Sequence, residues 1–115
     1  MRILNPIWVA AVIAIAGCSR SPVITITNRS AITLSNVVVS GSGFSQRVGT
    51  IPAGGECRLN VHPRGESALR LSFDAGARHV DSGEQGYFEG GGDYYVEATI
   101  STNLSVSVSS GLHEY

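Results

Sequence analysis

"ECRLNVHPRGESALRLSF", Glu56 to Phe73, is the stretch that decides the fold class of this chain. Cys57, Leu59 and Val61 alternate with Glu56, Arg58 and Asn60. After His62-Pro63-Arg64-Gly65 the alternation resumes, with Leu69, Leu71 and Phe73 set against Arg70 and Ser72. A period of two belongs to strands with one face on a core and the other toward water. Pro63 and Gly65 mark the break between two such strands. Segments this close in sequence are expected to pair as a hairpin. Placing Arg58 opposite Arg70 would set like charges together. The expected register therefore pairs Cys57 with Phe73, Leu59 with Leu71 and Val61 with Leu69, which keeps both apolar faces together. Burial beside leucines would make Cys57 a small hydrophobe rather than a nucleophile.

The same pattern extends outward. Strands are expected near Val23–Thr27, Ile32–Ser40, Gln46–Ile51, Glu56–Val61, Ala68–Phe73, Ala77–Asp81, Tyr94–Ser101 and Leu104–Ser109. Between them fall Gly41-Ser42-Gly43, Pro52-Ala53-Gly54-Gly55 and Gly90-Gly91-Gly92. No stretch after Val23 keeps a 3.6-residue period, and many short strands with turn residues between them indicate a sandwich or barrel. The expected fold is all-β: a small antiparallel two-layer sandwich of seven or eight strands over residues 23–110, with 111–115 as a tail. A small closed barrel is the alternative. For the last hairpin the expected pairs are Ile100 with Leu104, Ala98 with Val106 and Val96 with Val108, with Asn103 in the left-handed turn position.

The segment Ile24–Val61 resembles bacterial immunoglobulin-like domains. In these, one strand ends in Thr-Asn, the next carries Leu-x-Asn-Val-x-Val, and a third leads into a Gly-x-Ile-x-x-Gly turn. Asn28, Leu34, Asn36, Val37, Val39, Gly49, Ile51 and Gly54 occupy the matching positions. The resemblance implies a sandwich and names no ligand, because such domains serve many roles.

The front of the chain has a different character. Ten consecutive apolar residues, Ile7 to Ala16, follow Arg2 and close on Ile15-Ala16-Gly17-Cys18. A bilayer-spanning helix needs about 20 such residues. A short apolar run with a small-residue exit is instead the anatomy of a secretory signal. Ile15, Ala16, Gly17 and Cys18 resemble the lipobox of bacterial lipoproteins. By that resemblance residues 1–17 form a signal peptide with a helical apolar segment. Cys18 would carry the lipid, including the acyl chains typical of such anchors, and residues 18–22 form a short tether. Ser19, where an Asp would resemble an inner-membrane retention signal, favours the outer membrane on its periplasmic side.

Charge and chemistry exclude several classes. The formal net charge of −1 speaks against nucleic acid as a partner. With Cys18 lipidated, Cys57 has no mate, so a disulfide scaffold is excluded. His62, His79 and His113 share no metal-ligand spacing. Asp74, Asp81, Glu84, Glu89 and Asp93 show none of the ordered spacing of a calcium loop. No Gly-x-Ser-x-Gly elbow or phosphate loop is present. The chain therefore reads as non-catalytic, with no metal and no cofactor.

"DSGEQGYFEGGGDYYVEA", Asp81 to Ala98, holds the candidate binding surface: Tyr87, Phe88, Asp93 and Tyr95 around a glycine run. Aromatics with adaptable glycine are common at recognition surfaces. Alternation puts Tyr95 outward and Tyr94 on the face of Val96, Ala98 and Ile100, where it would simply pack, and Phe88 could pack too. The expected function is that of a lipid-anchored envelope lipoprotein, an interaction or accessory module held to the membrane through Cys18, with another envelope protein as a further partner. The alternative is a periplasmic binder or inhibitor of an envelope enzyme or glycan, acting through the aromatic–glycine loop 86–95.

Overall fold

The computed structural model describes residues 21–113. Ile15, Ala16, Gly17 and Cys18, which resemble a lipobox, and the expected signal helix lie outside them. Eight strands are present: β1 (Val23–Asn28), β2 (Leu34–Gly41), β3 (Phe44–Ile51), β4 (Glu56–Asn60), β5 (Glu66–Ala75), β6 (Arg78–Glu89), β7 (Tyr94–Ile100) and β8 (Val106–Leu112). They form two four-stranded sheets, ordered β4-β1-β7-β8 and β3-β2-β5-β6. The fold is a small β-sandwich. It shares the two-layer architecture of immunoglobulin-like domains, but in those the first two strands lie in one sheet. Here β1 and β2 lie in different sheets.

The core is the meeting of two inner faces, each supplied by alternate residues. Ile24 and Ile26 come from β1, Val96, Ala98 and Ile100 from β7, and Leu69, Leu71 and Phe73 from β5; all are buried. In β2 the buried residues are Leu34, Val37 and Val39, spaced by three and then two. A bulge at Ser35-Asn36 supplies the extra residue, and Asn36 takes a φ of 51° there.

Two expected pairings are corrected. β4 and β5 form no hairpin: β4 pairs with β1, and β5 pairs with β2 and β6. The alternation in both strands holds, with Leu69, Leu71 and Phe73 buried, but Cys57, expected to be buried, is half-buried against the core together with Leu59. However, two one-sided strands can join their apolar faces side by side or face to face. His62–Gly65 carries the chain from one layer to the other, held where Arg64 N–H donates to the Ser42 carbonyl at 2.8 Å. Arg70 thus sits between Ser40 and Glu84, far from the pairing with Asn60 that a hairpin would give.

The last hairpin does form, two residues out of the expected register. Ile100 pairs with Val106, Ala98 with Val108 and Val96 with Ser110. Leu104, not Asn103, takes the left-handed conformation, at φ 70°. The Asn103 side chain instead accepts from the Ser105 N–H and hydroxyl, at 3.2 and 2.8 Å. That leaves Leu104 buried over the end of the core. Burial of its side chain outweighs the backbone strain, which is of order 1–3 kcal/mol.

The β1–β7 ladder is parallel, and every other ladder among the described residues is antiparallel. β6 runs to Glu89 rather than stopping at Asp81, because Gly83 and Gly86 are bulges and not breaks. Both have positive φ, 69° and 79°. Asp81 fixes the first bulge: its carboxylate accepts from Gly83 N–H at 2.9 Å and from Arg70 Nε at 3.1 Å. Twice bent, β6 leans over the sandwich edge toward β8. There Gln85 Nε2 donates to the Val106 carbonyl at 3.1 Å. The Ser110 hydroxyl accepts from Tyr87 N–H at 3.2 Å and donates to the Tyr87 carbonyl at 2.6 Å. A side chain here makes the two bonds that a ladder rung would make. β8 likewise takes in Ser110–Leu112, so the segment expected as a tail from residue 111 begins as strand.

Candidate functional site

The strand directions divide the sandwich into two ends. At the entry end lie the start of β1, the end of β4, the start of β7 and the end of β8. The row Asn60–Val23–Tyr95–Gly111 crosses one sheet there, and Glu66 faces Glu89 in the other. Tyr87, Phe88, Asp93 and Tyr95 are all at this end, so the fold gathers them as the sequence indicates. It does not make one surface of them.

Phe88 is fully buried and is corrected from surface to core. Its neighbour in sequence, Tyr87, is 46% exposed. The bulge at Gly86 re-aims β6, so that Phe88 packs against the Phe44 ring (centroids 6.3 Å apart) while Tyr87 meets Tyr94 edge-on at 6.3 Å. Gly86 also lets the strand pass close to β8, since a Cβ there would stand 2.9 Å from Val108 Cγ1. Gly86 to Glu89 is therefore strand, and the expected loop shrinks to Gly90–Asp93.

Tyr94 is buried on the face of Val96, Ala98 and Ile100, and its hydroxyl donates to Glu89 Oε2 at 3.3 Å. Desolvation pushes the Tyr87 and Tyr94 phenols above their usual range, and the nearby Glu66 and Glu89 carboxylates push them further. Both phenols stay neutral at physiological pH and serve as donors.

Tyr95 belongs to the outer face of its sheet and is 38% exposed. Its ring lies across Gly111, where an added Cβ would come within 2.5 Å of its Oη, and it leans on the His113 ring at 5.3 Å. With Val23, Thr25, Arg58, Glu97 and His113 it lines a shallow open depression of about 560 Å³. A second depression of about 440 Å³, on the other sheet, is lined by polar residues including Ser42, Glu66, Arg70 and Glu84. Asp93 contributes backbone: its carbonyl accepts from His113 N–H at 3.0 Å and holds the end of β8.

The other titratable groups are dispersed. His79 bonds Asp74 through Nδ1 at 2.7 Å, and Asn36 donates to the other Asp74 oxygen at 2.9 Å. These bonds, Asn36 first, hold the Asp74 carboxyl below the usual carboxylate range. His62 is exposed beyond the end of β4, while Cys57 packs half-buried against the core. Among the described residues no three His, Cys, Asp or Glu side chains gather as metal ligands.

Two residues of this end escaped the sequence reading. Leu112, 55% exposed, was lost in the supposed tail. Ser110 shows no distinguishing signal, since serines are frequent throughout β8.

No protein-family model and no curated protein matches the sequence. Among solved structures, an NMR structure of a protein from Eubacterium rectale has a TM-score of 0.48 to this chain at 17% identity. The match covers 84% of this chain and 91% of that one.

Proposed function

We propose that this chain is a lipid-anchored, non-catalytic module of the bacterial cell envelope, held through Cys18 on the periplasmic side of the outer membrane. The observation that carries this reading is the apolar run Ile7–Ala16 closing on Ile15-Ala16-Gly17-Cys18. That run is too short to span a bilayer and has no polar face to turn to water. Folded structure is already present three residues after the cysteine. Asn60 Nδ2 donates to Ser21 Oγ at 3.1 Å, and Val61 N–H donates to the Pro22 carbonyl at 3.2 Å. A cysteine placed directly before a folded domain suits an anchor. One acyl chain binds a membrane only reversibly, at about 0.8 kcal/mol per methylene, whereas two or three hold firmly. The module then acts through its surfaces, on a partner close to the membrane.

The test is Cys18→Ser. The variant is expected to remain as uncleaved precursor, heavier by residues 1–17 and lacking the mass of the lipid. Equal processing and equal added mass in wild type and variant would overturn the reading.

A further inference from the structure

We propose that the entry end of the sandwich lies on the membrane interface, with Tyr95, Leu112 and Tyr87 as its contact residues and the lipid headgroup region as their partner. This rests on the lipid anchor at Cys18 and deepens it, by assigning which surface of the domain meets the bilayer.

Three observations converge. The first is reach. Ser21 is hydrogen-bonded to the end of β4, and only Ser19 and Arg20 stand between it and Cys18 in the sequence. Three extended residue steps span at most about 11 Å. A lipid on Cys18 therefore holds the entry end, and not the far one, at headgroup level.

The second is where the apolar exposure falls. Four large hydrophobic residues are exposed among those described: Ile32 at 43%, Tyr87 at 46%, Tyr95 at 38% and Leu112 at 55%. Ile32 is at the far end. The other three are at the end where the tether emerges, within two rungs of the last row. Leu112 is directly opposite Tyr94, Tyr94 meets Tyr87, and Tyr95 is next in the chain. Two tyrosines and a leucine match the chemistry of an interfacial belt, in which apolar bodies enter the acyl boundary and phenol hydroxyls stay among headgroups.

The third is charge. Within two rungs of the last row, Glu66, Glu89, Asp93 and Glu97 stand against Arg58 and Arg64 among the described residues, an acidic excess. Such a rim is repelled by anionic lipid, whose surface potential attracts basic segments. The occupant is therefore a zwitterionic interface.

The experiment uses the full lipidated chain, reconstituted in vesicles of phosphatidylethanolamine and phosphatidylcholine. A photo-reactive benzoyl-phenylalanine replaces Tyr95 or Leu112 at the entry end, and Ile32 or Asn103 at the far end. Intact mass first establishes whether the chain carries its lipid. With lipid present, the entry-end positions are expected to crosslink phospholipid at least tenfold more than the far-end positions. Adding one-third phosphatidylglycerol should lower that yield. Equal yields from the two ends, or a higher yield from the far end, would sink the inference while leaving the anchor intact. A chain that carries no lipid would sink the anchor reading and this one together. Crosslinking from Tyr95 to protein in native envelopes, with none to lipid, would hand the same surface to a protein partner and overturn the proposal.

Discussion

The two ends of this sandwich are closed by opposite means. At the far end a buried polar side chain does the closing. Asn28 Nδ2 donates to the carbonyls of Ile32, Ile51 and Pro52 at 2.9, 3.2 and 3.1 Å. Its Oδ1 accepts from the Ser30 N–H and hydroxyl at 3.0 and 2.7 Å. One amide thus satisfies backbone from two crossing connections that have no ladder of their own, in a place where unpaired groups would be costly. At the entry end aromatic rings do the closing. Phe88 and Tyr94 fill the space, and Tyr87, Tyr95 and Leu112 are left at the surface. Among the described residues the far end leaves one large hydrophobic residue exposed, Ile32, whereas the entry end leaves three.

The largest expected effect separates neighbours at the entry end. Phe88→Ala removes a fully buried ring and should cost about 4 kcal/mol in denaturant unfolding. Tyr87→Ala, one residue away, loses an exposed edge-on pair and should cost about 1 kcal/mol. Similar losses for both would erase the distinction between core and surface there.

The far end should respond to Asn28→Ala by about 3 kcal/mol, because carbonyls of Ile32, Ile51 and Pro52 lose their donor while enclosed. At about 4–8 °C per kcal/mol for a domain of this size, the melting midpoint should fall by more than about 10 °C. A shift below about 3 °C would mean that water replaces the amide and that the far end is not sealed.

The smallest effect is a pH dependence, also at the far end. The Asp74 carboxyl is held low by Asn36 and His79. Its contribution to stability is therefore present above the ordinary aspartate value near about 3.9, and is lost as pH falls through the lower folded value. Carbon-detected titration should place Asp74 below a reference aspartate, and Asn36→Ala should move it back upward. No upward movement would remove Asn36 as the main cause.

Much of this was legible in the sequence, and the failures share a cause. Alternation gave the faces of β4, β5 and β7, because burial of one face is a local property of a strand. It could not say which strand a face would meet. The residues from Glu56 to Phe73 satisfy a hairpin and an interlayer crossing equally well, and the choice depends on β1 and β2, which are distant in sequence. The expected strand ended at Asp81, just before Gly83 and Gly86, and a bulge and a turn ask the same positive φ of a glycine. Phe88 was misplaced for that reason: a bulge changes which residues face inward. In the last hairpin Asn103 was the better left-handed residue by local preference, and Leu104 prevailed because the end of the core needed a plug.

The placement of β1 has a mechanical consequence. It is an interior strand, bonded to β4 on one side and to β7 on the other, and the chain enters it from Ser21 along its own axis. A pull delivered through Ser21 therefore shears two ladders at once, with all their rungs sharing the load. An edge strand drawn sideways would instead unzip one bond at a time. Resistance to force is set by the unfolding barrier rather than by equilibrium stability. By this geometry the segment through which the chain enters the domain is also its mechanical clamp.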